Sequence, residues 1–581
     1  MRKVSLFRVM QGAGKRGAAA ACLLGLLTSG LALPAQAQTA APATPPTTAT
    51  PTTTPPASPP ELTPPAASAP AATAPRGHVV IDVRDTKPPE EADVALKDGA
   101  LELSLDDALS IALRHNLGLL VQRYVRVQSR LQILQNLGIY DVQLGGVLSY
   151  QDQKNSTATS RLQAAETKNY LADLNATQLF PLGSTLTVDL PNGRTDQTVN
   201  SIQQNLPTTY SVIPKVTFTQ PLLTGFGETV TDQGLIIARN NSESSRAELV
   251  RQVTLTMQQV IDGYWNLVNA KAQLVVAQES LGLAKELHER NRIQVQVGTA
   301  APLDLVNSEA AIATREEEII TAQSAVGDTE DALRQLLNLP PGALWNAEIK
   351  PTTPAETDRL SVNLEEAVRT GLAARPEVRE NQLAVDNAKV QQAVAKNALL
   401  PTLDLQATYG FGGPGITYSD AWKTVTNIDF PGWSAQLTFG YPLQNRRARA
   451  QHLVSQLNTE AAKTNLTAAE RQVLTEVRTA ARGVDTAAKS IDAAHASRNF
   501  EEKNLDAERK RYENGMSTTY QITLIQNDLT GAKSREVTAV INYRKALAEY
   551  YRAIGKLLEQ HSVEIADPPD RGHRFSFSGK P

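Results

Sequence analysis

The sequence contains few of the residues that build reactive or metal-binding centres. Its 581 residues include one cysteine, Cys22, which excludes an intrachain disulfide and a thiolate metal site. No histidine has a carboxylate or a second histidine at metal-ligand spacing, and no nucleophile is paired with a base. We therefore expect no catalytic residues, no cofactor and no metal, and a protein that is not an enzyme. The scattered histidines are His78, His115, His288, His452, His495, His561 and His573.

Long apolar runs are also scarce. The one at residues 18–33 follows a basic segment and precedes Ala35-Gln36-Ala37, which is a signal-peptidase pattern. This predicts a signal peptide over residues 1–37. Lipidation at Cys22, inside that segment, is the minor alternative, because the residues before it form only a degenerate lipobox. No other segment approaches the ~18 apolar residues of a membrane-spanning helix.

An excess of positive charge is absent too. Removing the predicted signal peptide takes away five basic and no acidic residues, which changes the net charge from −3 to −8. This charge gives no reason to expect nucleic acid as a partner. Residues 38–77 are almost wholly Ala, Thr and Pro, a composition that buries too little apolar surface to fold. We expect them to form an extended, disordered tether.

A long internal repeat dominates the remainder of the chain. LELSLDDALSIALRHNLGLL at residues 101–120 returns as LSVNLEEAVRTGLAARPEVR at 360–379, and FTQPLL at 218–223 returns as FGYPLQ at 439–444. A repeat this long indicates a duplicated half-molecule. The sequence then divides into a first structural repeat (101–338), an inter-repeat linker (339–362), a second repeat (363–558) and a C-terminal tail (559–581).

Each repeat is predicted to be mainly helical. A helical segment (104–140, then 363–399) precedes a strand region, a very long helix (228–297, then 445–514) and a returning helix (302–338, then 518–558). A helix of 70 residues would be about 105 Å long, at 1.5 Å per residue. The long helices carry a coiled-coil heptad period. Its apolar positions are Val253, Val260, Leu267, Leu274 and Leu281, then Val477, Val484 and Ile491.

The strand regions alternate apolar and polar residues with period two. LDLQATYGF (403–411), WSAQLTFGY (433–441) and YSVIPKVTF (210–218) show it clearly, and LGGVLSYQ (144–151) more weakly. Strands of about ten residues with one apolar face are typical of a transmembrane β-barrel. A half-buried soluble sheet has the same alternation. Four membrane strands per chain could not close a barrel alone, because lipid does not tolerate an unpaired edge, so the barrel hypothesis requires oligomerisation.

The first repeat contains surplus residues near 152–209 that the second repeat lacks. Leu105 to Leu364 spans 259 residues while Pro221 to Pro442 spans 221, which makes the first repeat longer by 38. The surplus contains the strand-like LADLNATQ and STLTVDL. It either extends as an extracellular hairpin or adds strands to the barrel.

The duplicated LSLDDALSIALRHN and VNLEEAVRTGLAARPEV segments, FTQPLLTGFG, and the chain reversals at Gly298 and Gly515 between the long and returning helices resemble the TolC-like outer-membrane efflux family. The resemblance covers nearly all of residues 101–560. It implies an α-helical barrel of long antiparallel helices joined to a transmembrane β-barrel, built by a homotrimer in which each chain gives four strands to a twelve-stranded barrel. It places the protein in the outer membrane of a Gram-negative bacterium, with a helical extension in the periplasm.

The implied function is a passive exit duct of a tripartite efflux or type I secretion system. Its partners would be a periplasmic adaptor and an inner-membrane transporter of the RND, ABC or MFS type. The alternative is a periplasmic coiled-coil adaptor or scaffold without a pore.

The glycine reversals predict two helical hairpin tips. A helix ends readily at glycine, and a new helix is expected to begin with a hydroxyl cap and, in the first repeat, a proline in its first turn. In the family such tips form the periplasmic mouth and meet the adaptor, although capping alone explains the same residues. The docking candidates are Val297, Gly298, Thr299, Gly515, Met516 and Ser517.

A ring of acidic residues at a narrow mouth can act as a gate for cations. Asp304 lies one turn after the first reversal and Asn307 follows on the same face. The aligned positions in the second repeat are Gln521 and Leu524, where the family's best-known member has aspartates. We take these four residues as gate candidates. Asp304 could instead be a first-turn aspartate favoured by the helix dipole.

Overall fold

The structure is a computed structural model that describes residues 79–83, 100–154, 164–199, 204–205, 207–355 and 358–567. The predicted signal peptide (1–37) and tether (38–77) lie outside the described residues.

The first repeat places a group of strands between a pair of short helices and a pair of very long ones. Helix α4 alone has 64 residues, which corresponds to about 96 Å at 1.5 Å per residue. The elements in chain order are β1 (Val79–Asp82), β2 (Ala100–Leu103), α1 (Leu105–His115), α2 (Leu117–Leu137), β3 (Gln143–Lys154), β4 (Ala164–Leu179), β5 (Thr185–Val199), β6 (Gln204–Asn205), β7 (Thr209–Val212), β8 (Lys215–Pro221), α3 (Glu228–Thr231), α4 (Gln233–Gln296) and α5 (Pro302–Leu337).

The second repeat follows the same order with fewer strands. Its long helix α10 has 68 residues and its returning helix α11 has 35. The elements are α6 (Ala343–Asn346), β9 (Glu348–Pro351), α7 (Leu364–Ala374), α8 (Pro376–Asn397), β10 (Thr402–Gly410), β11 (Gly413–Gly415), α9 (Tyr418–Thr426), β12 (Gly432–Gly440), α10 (Arg446–Glu513), α11 (Thr519–Ala553), α12 (Leu557–Gln560) and β13 (Val563–Ala566). The long and returning helices predicted in both repeats are present.

Local sequence explains why each short helix is followed by a break. Ser104 and Asp107 form a capping box at the start of α1. The Asn116 side chain accepts from the Leu119 backbone N–H at 3.1 Å and starts α2 in a new direction. In the second repeat Asn363 caps α7, and Pro376 occupies the first turn of α8.

The long helices form a layer in which α4 is central. Near the strands the packing order is α2, α4, α8, α10, and toward the glycine reversals it is α5, α4, α11, α10. Helix α10 therefore lies at one edge of the layer along its whole length. The opposite edge is formed first by α2 and then by α5.

The main core surrounds α4 where two small parallel sheets join distant parts of the chain. Strand β1 pairs with β13, and β2 pairs with β9. Tyr264 of α4 is fully buried, donates to the Leu103 carbonyl at 3.2 Å and accepts from the Thr353 backbone N–H at 3.0 Å. The predicted linker and tail thus contain ordered strands that close this core.

A buried ion pair fixes the last described residue. The carboxylate of Asp567 lies 2.8 Å from the Arg126 guanidinium, and their side chains are 1% and 2% exposed. Arg126 also donates to the Ser242 carbonyl on α4 at 2.6 Å. Because a buried charge is stable only when paired and hydrogen-bonded, this cluster ties the end of the described chain to α2 and α4.

One large antiparallel sheet contains nine strands. Its long strands follow the order β3, β4, β5, β8, β10, β12; β7 continues the line of β8 beside β5, and β11 continues that of β10 beside β7. The expectation of four strands per chain is wrong, because β4 and β5 enter the sheet between β3 and β8. The surplus residues therefore add strands to the sheet, which favours the second of the two alternatives, since LADLNATQ and STLTVDL alternate in phase with their neighbours.

Candidate pore wall and hairpin tips

One face of the large sheet is apolar across all six long strands. Leu148, near the free edge of the sheet on β3, is 86% exposed, and Trp433 on β12 at the opposite edge is 80% exposed. An exposed apolar face this broad marks a surface made for lipid or another protein. A single register row across the six strands contains Leu144, Ala176, Val188, Val216, Tyr409 and Trp433.

The opposite face is polar in the adjacent row. The hydroxyls of Thr177 and Thr187 are 3.2 Å apart, and those of Thr217 and Thr408 are 3.3 Å apart. Side chains that alternate in this way suit a wall with lipid on one side and water on the other. The polar row consists of Gln143, Thr177, Thr187, Thr217, Thr408 and Ser434.

Aromatic residues end the apolar face at the side away from the helices. The rings of Tyr150 and Tyr170 are 4.9 Å apart, and the Arg194 guanidinium lies 5.3 Å from the Tyr170 ring. Tyr210 follows in the same row and contacts Tyr418 at 6.2 Å between ring centroids. Such rows of amphipathic rings are typical of a membrane–water interface.

Charged pairs lie immediately beyond the aromatic row. Lys168 and Lys154 approach Glu166 at 3.4 and 3.7 Å, and Arg194 pairs with Asp196 at 3.0 Å. The change from apolar to aromatic to charged along β3, β4 and β5 follows the change from hydrocarbon to headgroup to water.

No helix within the described ranges is long and apolar enough to cross a membrane.

The first hairpin tip joins α4 to α5 through Gly298. Gly298 has φ +83°, which favours glycine, and the Thr299 backbone N–H donates to the Gln294 carbonyl at 2.9 Å. Pro302 starts α5 as predicted, but the predicted hydroxyl cap is wrong here, because the cap position is Ala301 and makes no side-chain hydrogen bond. The Thr299 hydroxyl instead donates to the Gln294 carbonyl at 3.1 Å and completes the end of α4.

The second tip joins α10 to α11 through Gly515, whose φ is +69°. Thr518 supplies the predicted hydroxyl cap, since its Oγ1 accepts from the Gln521 backbone N–H at 3.3 Å. The Ser517 hydroxyl donates to the buried carboxylate of Glu508. The two tips therefore use the same glycine geometry with different capping groups.

A buried tyrosine joins the two tips. The Tyr512 hydroxyl on α10 lies 2.6 Å from Asn291 Oδ1 and 2.9 Å from Gln294 Oε1, both on α4, and 3.2 Å from Thr519 Oγ1. Asn291 in turn donates to the Asp304 carbonyl at 3.2 Å. Since these residues come from both repeats, the glycine reversals lie at one end of the helical layer.

The four gate candidates lie within two turns of these reversals. Asp304 is half-buried and Asn307 is exposed on α5. On α11 Gln521 is exposed and Leu524 is 40% exposed. Within one chain, the structure thus brings the four candidates to the same end as the tips.

The docking candidates lie among exposed apolar side chains that the sequence analysis did not single out. Val297 and Met516 are 68% and 65% exposed. Leu303, Val306 and Tyr520 are 66%, 58% and 71% exposed beside them. Their apolar character in the first turns of α5 and α11, where no core faces them, was the available signal.

Comparison with solved structures identifies the class of fold, which is that of outer-membrane channels. The Campylobacter jejuni CmeC outer membrane channel aligns with a TM-score of 0.57 and 15% identity over 80% of this chain and 87% of CmeC. The Vibrio cholerae outer membrane protein VceC aligns with a TM-score of 0.58 and 14% identity over 78% of this chain and 96% of VceC. The open state of the Neisseria gonorrhoeae MtrE channel aligns with a TM-score of 0.57 and 16% identity over 81% of this chain and 98% of the MtrE chain.

The family follows from the sequence. The family model for outer membrane efflux proteins matches residues 158–339 and 368–556, and the chain belongs to this family. The pyoverdine export outer membrane protein OpmQ of Pseudomonas putida is 26% identical over 342 residues, 55% of this chain and 67% of OpmQ. The TolC-like resemblance is confirmed, and the protein is located in the outer membrane. Its family consists of efflux channels, which are transporters and not enzymes, and a scaffold without a pore does not fit it.

Proposed function

We propose that the protein is the exit duct of a tripartite efflux or type I secretion system and works as a homotrimer. Substrates would enter from a periplasmic adaptor and an inner-membrane transporter of the RND, ABC or MFS type and cross the outer membrane passively. The observation that carries this proposal is the placement of the free edges. Helix α2 leads directly into β3 and strand β12 leads directly into α10, so the same two edges bound both the helical layer and the sheet.

Neither edge of the sheet can remain unpaired in lipid. Each unpaired N–H or C=O in hydrocarbon costs several kcal/mol, so β3 of one copy must pair with β12 of the next. Two different edges that meet head to tail close a ring when the rotation between copies divides the circle evenly. A hollow conduit then results, with the polar face of the sheet lining its interior.

The helical edges carry the matching apolar surface. On α2, Leu117, Val121 and Leu131 are 55%, 54% and 56% exposed. On α10, Leu453 and Leu457 are 59% and 70% exposed. In a ring these side chains would be covered by the neighbouring copy, which gains about 25 cal/mol per Å² of apolar surface removed from water.

The tips would then form the periplasmic mouth. We infer that the adaptor docks on the apolar surface around Val297, Met516 and Tyr520, together with Gly298, Thr299, Gly515 and Ser517 in the reversals themselves. Three copies of Asp304 and Asn307, with Gln521 and Leu524, would encircle the opening as its gate. One acidic residue per copy, with none at the aligned positions Gln521 and Leu524 on α11, makes this a weaker cation filter than a double ring.

The two small parallel sheets would form a band around the middle of the duct. We assign the inter-repeat linker (339–362) to it, with repeats at 101–338 and 363–558 as the wall. The final segment 559–581 contributes β13 to the same band.

Purified protein in detergent tests the assembly directly. Native mass spectrometry should give three copies, and planar bilayers should show stable conducting channels. Leu457→Glu should yield monomers without channels, because it places a charge in the interface between copies. Asn458→Glu, about 100° around the helix, introduces the same charge and should leave the trimer intact. A wild-type protein that is a monodisperse monomer and does not conduct would contradict the proposal.

A further inference from the structure

We propose that the assembled channel has an eighteen-stranded membrane barrel, six strands from each chain, in place of the twelve-stranded barrel that the family resemblance implies. This inference rests on the proposed ring of three copies. It concerns the extra strands β4 and β5.

The extra strands β4 and β5 are long enough to belong to the barrel wall. β4 and β5 have 16 and 15 residues, whereas β3 and β12 have 12 and 9. Tilted membrane strands need about 9–11 residues. Each extra strand is therefore long enough to cross the hydrocarbon layer and emerge beyond it.

The extra strands also keep the two faces of the wall in phase. Val188 on β5 lies between Ala176 and Val216 in the apolar row, and Thr187 lies between Thr177 and Thr217 in the polar row. A register slip of one residue would have reversed both faces. The unbroken rows mean that lipid on one side and water on the other suit all six strands equally.

The row of aromatic residues that ends the apolar face crosses the same strands. Tyr170 and Arg194 continue the row begun by Tyr150 on β3, and Tyr210 continues it beyond β5. Leu144 precedes Tyr150 by six residues, a rise of about 20 Å along a strand. At the ~40° tilt of barrel strands this corresponds to about 15 Å of membrane depth, which lies within the ~25 Å apolar band of outer-membrane barrels. Both extra strands therefore share the aromatic row that ends the apolar face of β3.

The widths of the sheet and the helical layer agree with six strands. Four helices side by side span roughly 36 Å at about 9 Å between axes. Six strands spaced about 4.8 Å apart and tilted by ~40° span about 38 Å around a barrel. Four such strands would span only about 25 Å, and the helices would have to converge by about a third. Six strands therefore continue the arc of the helices without narrowing.

The diameter of the membrane barrel determines which part of the duct selects solutes. Barrel diameter grows roughly linearly with strand number, so eighteen strands give a pore about half again as wide as twelve, in the range where porins hold an aqueous channel. The narrowest point of the duct then lies at the hairpin tips and not in the outer membrane. The barrel would pass any solute that the helical tunnel admits, including bulky ones.

Imaging of the full-length channel in lipid nanodiscs tests the strand count. Eighteen strands are expected around a three-fold axis, with residues 164–199 in the wall. A three-fold channel with twelve strands and these residues outside the wall would overturn this inference and leave the proposed function intact. Failure to form any ring of copies would overturn both.

Adjacent single cysteines provide a second measurement that does not depend on imaging. On a Cys22→Ser background, the thiol of Val188→Cys should be protected from a water-soluble maleimide. When a fluorophore is attached to the same cysteine, brominated lipid should quench its fluorescence. Thr187→Cys should react with the same maleimide and reduce channel current. Because strand neighbours point to opposite sides of a wall, equal aqueous labelling at both positions would contradict a place for β5 in the barrel.

Discussion

The two repeats agree in their helices and differ in their strands. The short helices have 11 and 11 residues, the longer partners 21 and 22, and the returning helices 36 and 35. The first repeat nevertheless gives four long strands to the sheet and the second gives two. Helix length is constrained because both hairpins must reach from the same sheet to the same tips. Strand number is free as long as an added pair of strands preserves register and faces.

A second contrast concerns position within the helical layer. Residues of α4 correspond to residues of α10 that are 217 positions later, as Gly298 corresponds to Gly515. Met257 on the central helix α4 is fully buried, while its counterpart Leu474 on the edge helix α10 is 37% exposed. The same sequence pattern is therefore buried in the core of the chain in the first repeat and partly exposed at the edge of the helical layer in the second.

Substitution of Met257 and of Leu474 by alanine should give the largest difference in loss of stability between the two repeats. Met257→Ala removes a fully packed side chain and should cost about 2–5 kcal/mol, because the site cannot collapse completely. Leu474→Ala should cost well under half of that within one chain, since part of its surface already faces solvent. Thermal unfolding followed by circular dichroism in detergent measures both on the monomeric Leu457→Glu background, in which no neighbouring copy covers α10. Equal losses would show that the edge position of α10 is not what distinguishes the two helices.

Much of this helical architecture could be predicted from the sequence, and the reasons are local. Gly298 and Gly515 interrupt strong helical patterns, so the hairpins and their ends follow from backbone preference alone. β10 and β12 are recognisable because LDLQATYGF and WSAQLTFGY alternate without interruption. β4 is harder to place, since Asp173 and Asn175 make its polar face look like a loop, and nothing in the second repeat corresponds to it.

The remaining features depend on contacts between distant residues. β1 and β13 have four residues each, too few for a periodic signal, and they pair only because the chain returns to the core. Asp567 resembles any acidic residue near a chain end until Arg126 is placed beside it. The contact of Tyr512 with Asn291 joins residues 221 positions apart, and no local rule predicts it.

A pH-dependent difference between the repeats is expected at Glu380. Its counterpart in the first repeat is Val121, on the edge helix α2, whereas Glu380 lies on α8 within the layer. Burial, reinforced by the nearby charge of Glu248, raises the pKa of Glu380 to about 7. The folded protein thus holds a proton that the unfolded chain releases near pH 4.5, so stability should fall as pH rises from about 4.5 to 7.

Glu380→Gln should remove this dependence. The variant should gain about 1 kcal/mol over wild type at pH 8, after discounting for solvent screening at a half-buried site, and almost nothing at pH 4.5. Unfolding midpoints across this pH range test it, with the exposed Glu470→Gln as the control. A constant difference between wild type and Glu380→Gln at all pH values would mean that Glu380 does not titrate in this window.

The smallest effect expected separates glycines that reverse the chain from glycines that merely occupy a helix. Gly298 and Gly515 have φ of +83° and +69° with no atom within 4 Å of an added Cβ, so alanine there should cost about 1 kcal/mol through backbone strain alone. Gly282 and Gly483 have equally open surroundings inside α4 and α10, so alanine there should gain up to about 1 kcal/mol through helix propensity. The unfolding midpoints should therefore fall for the two variants at the hairpin tips and rise for the two variants inside α4 and α10. The shifts should be of similar size in both repeats. If the shift at one tip were much larger than at the other, a contact beyond the backbone, such as docking against a neighbouring copy, would have to hold that reversal in place.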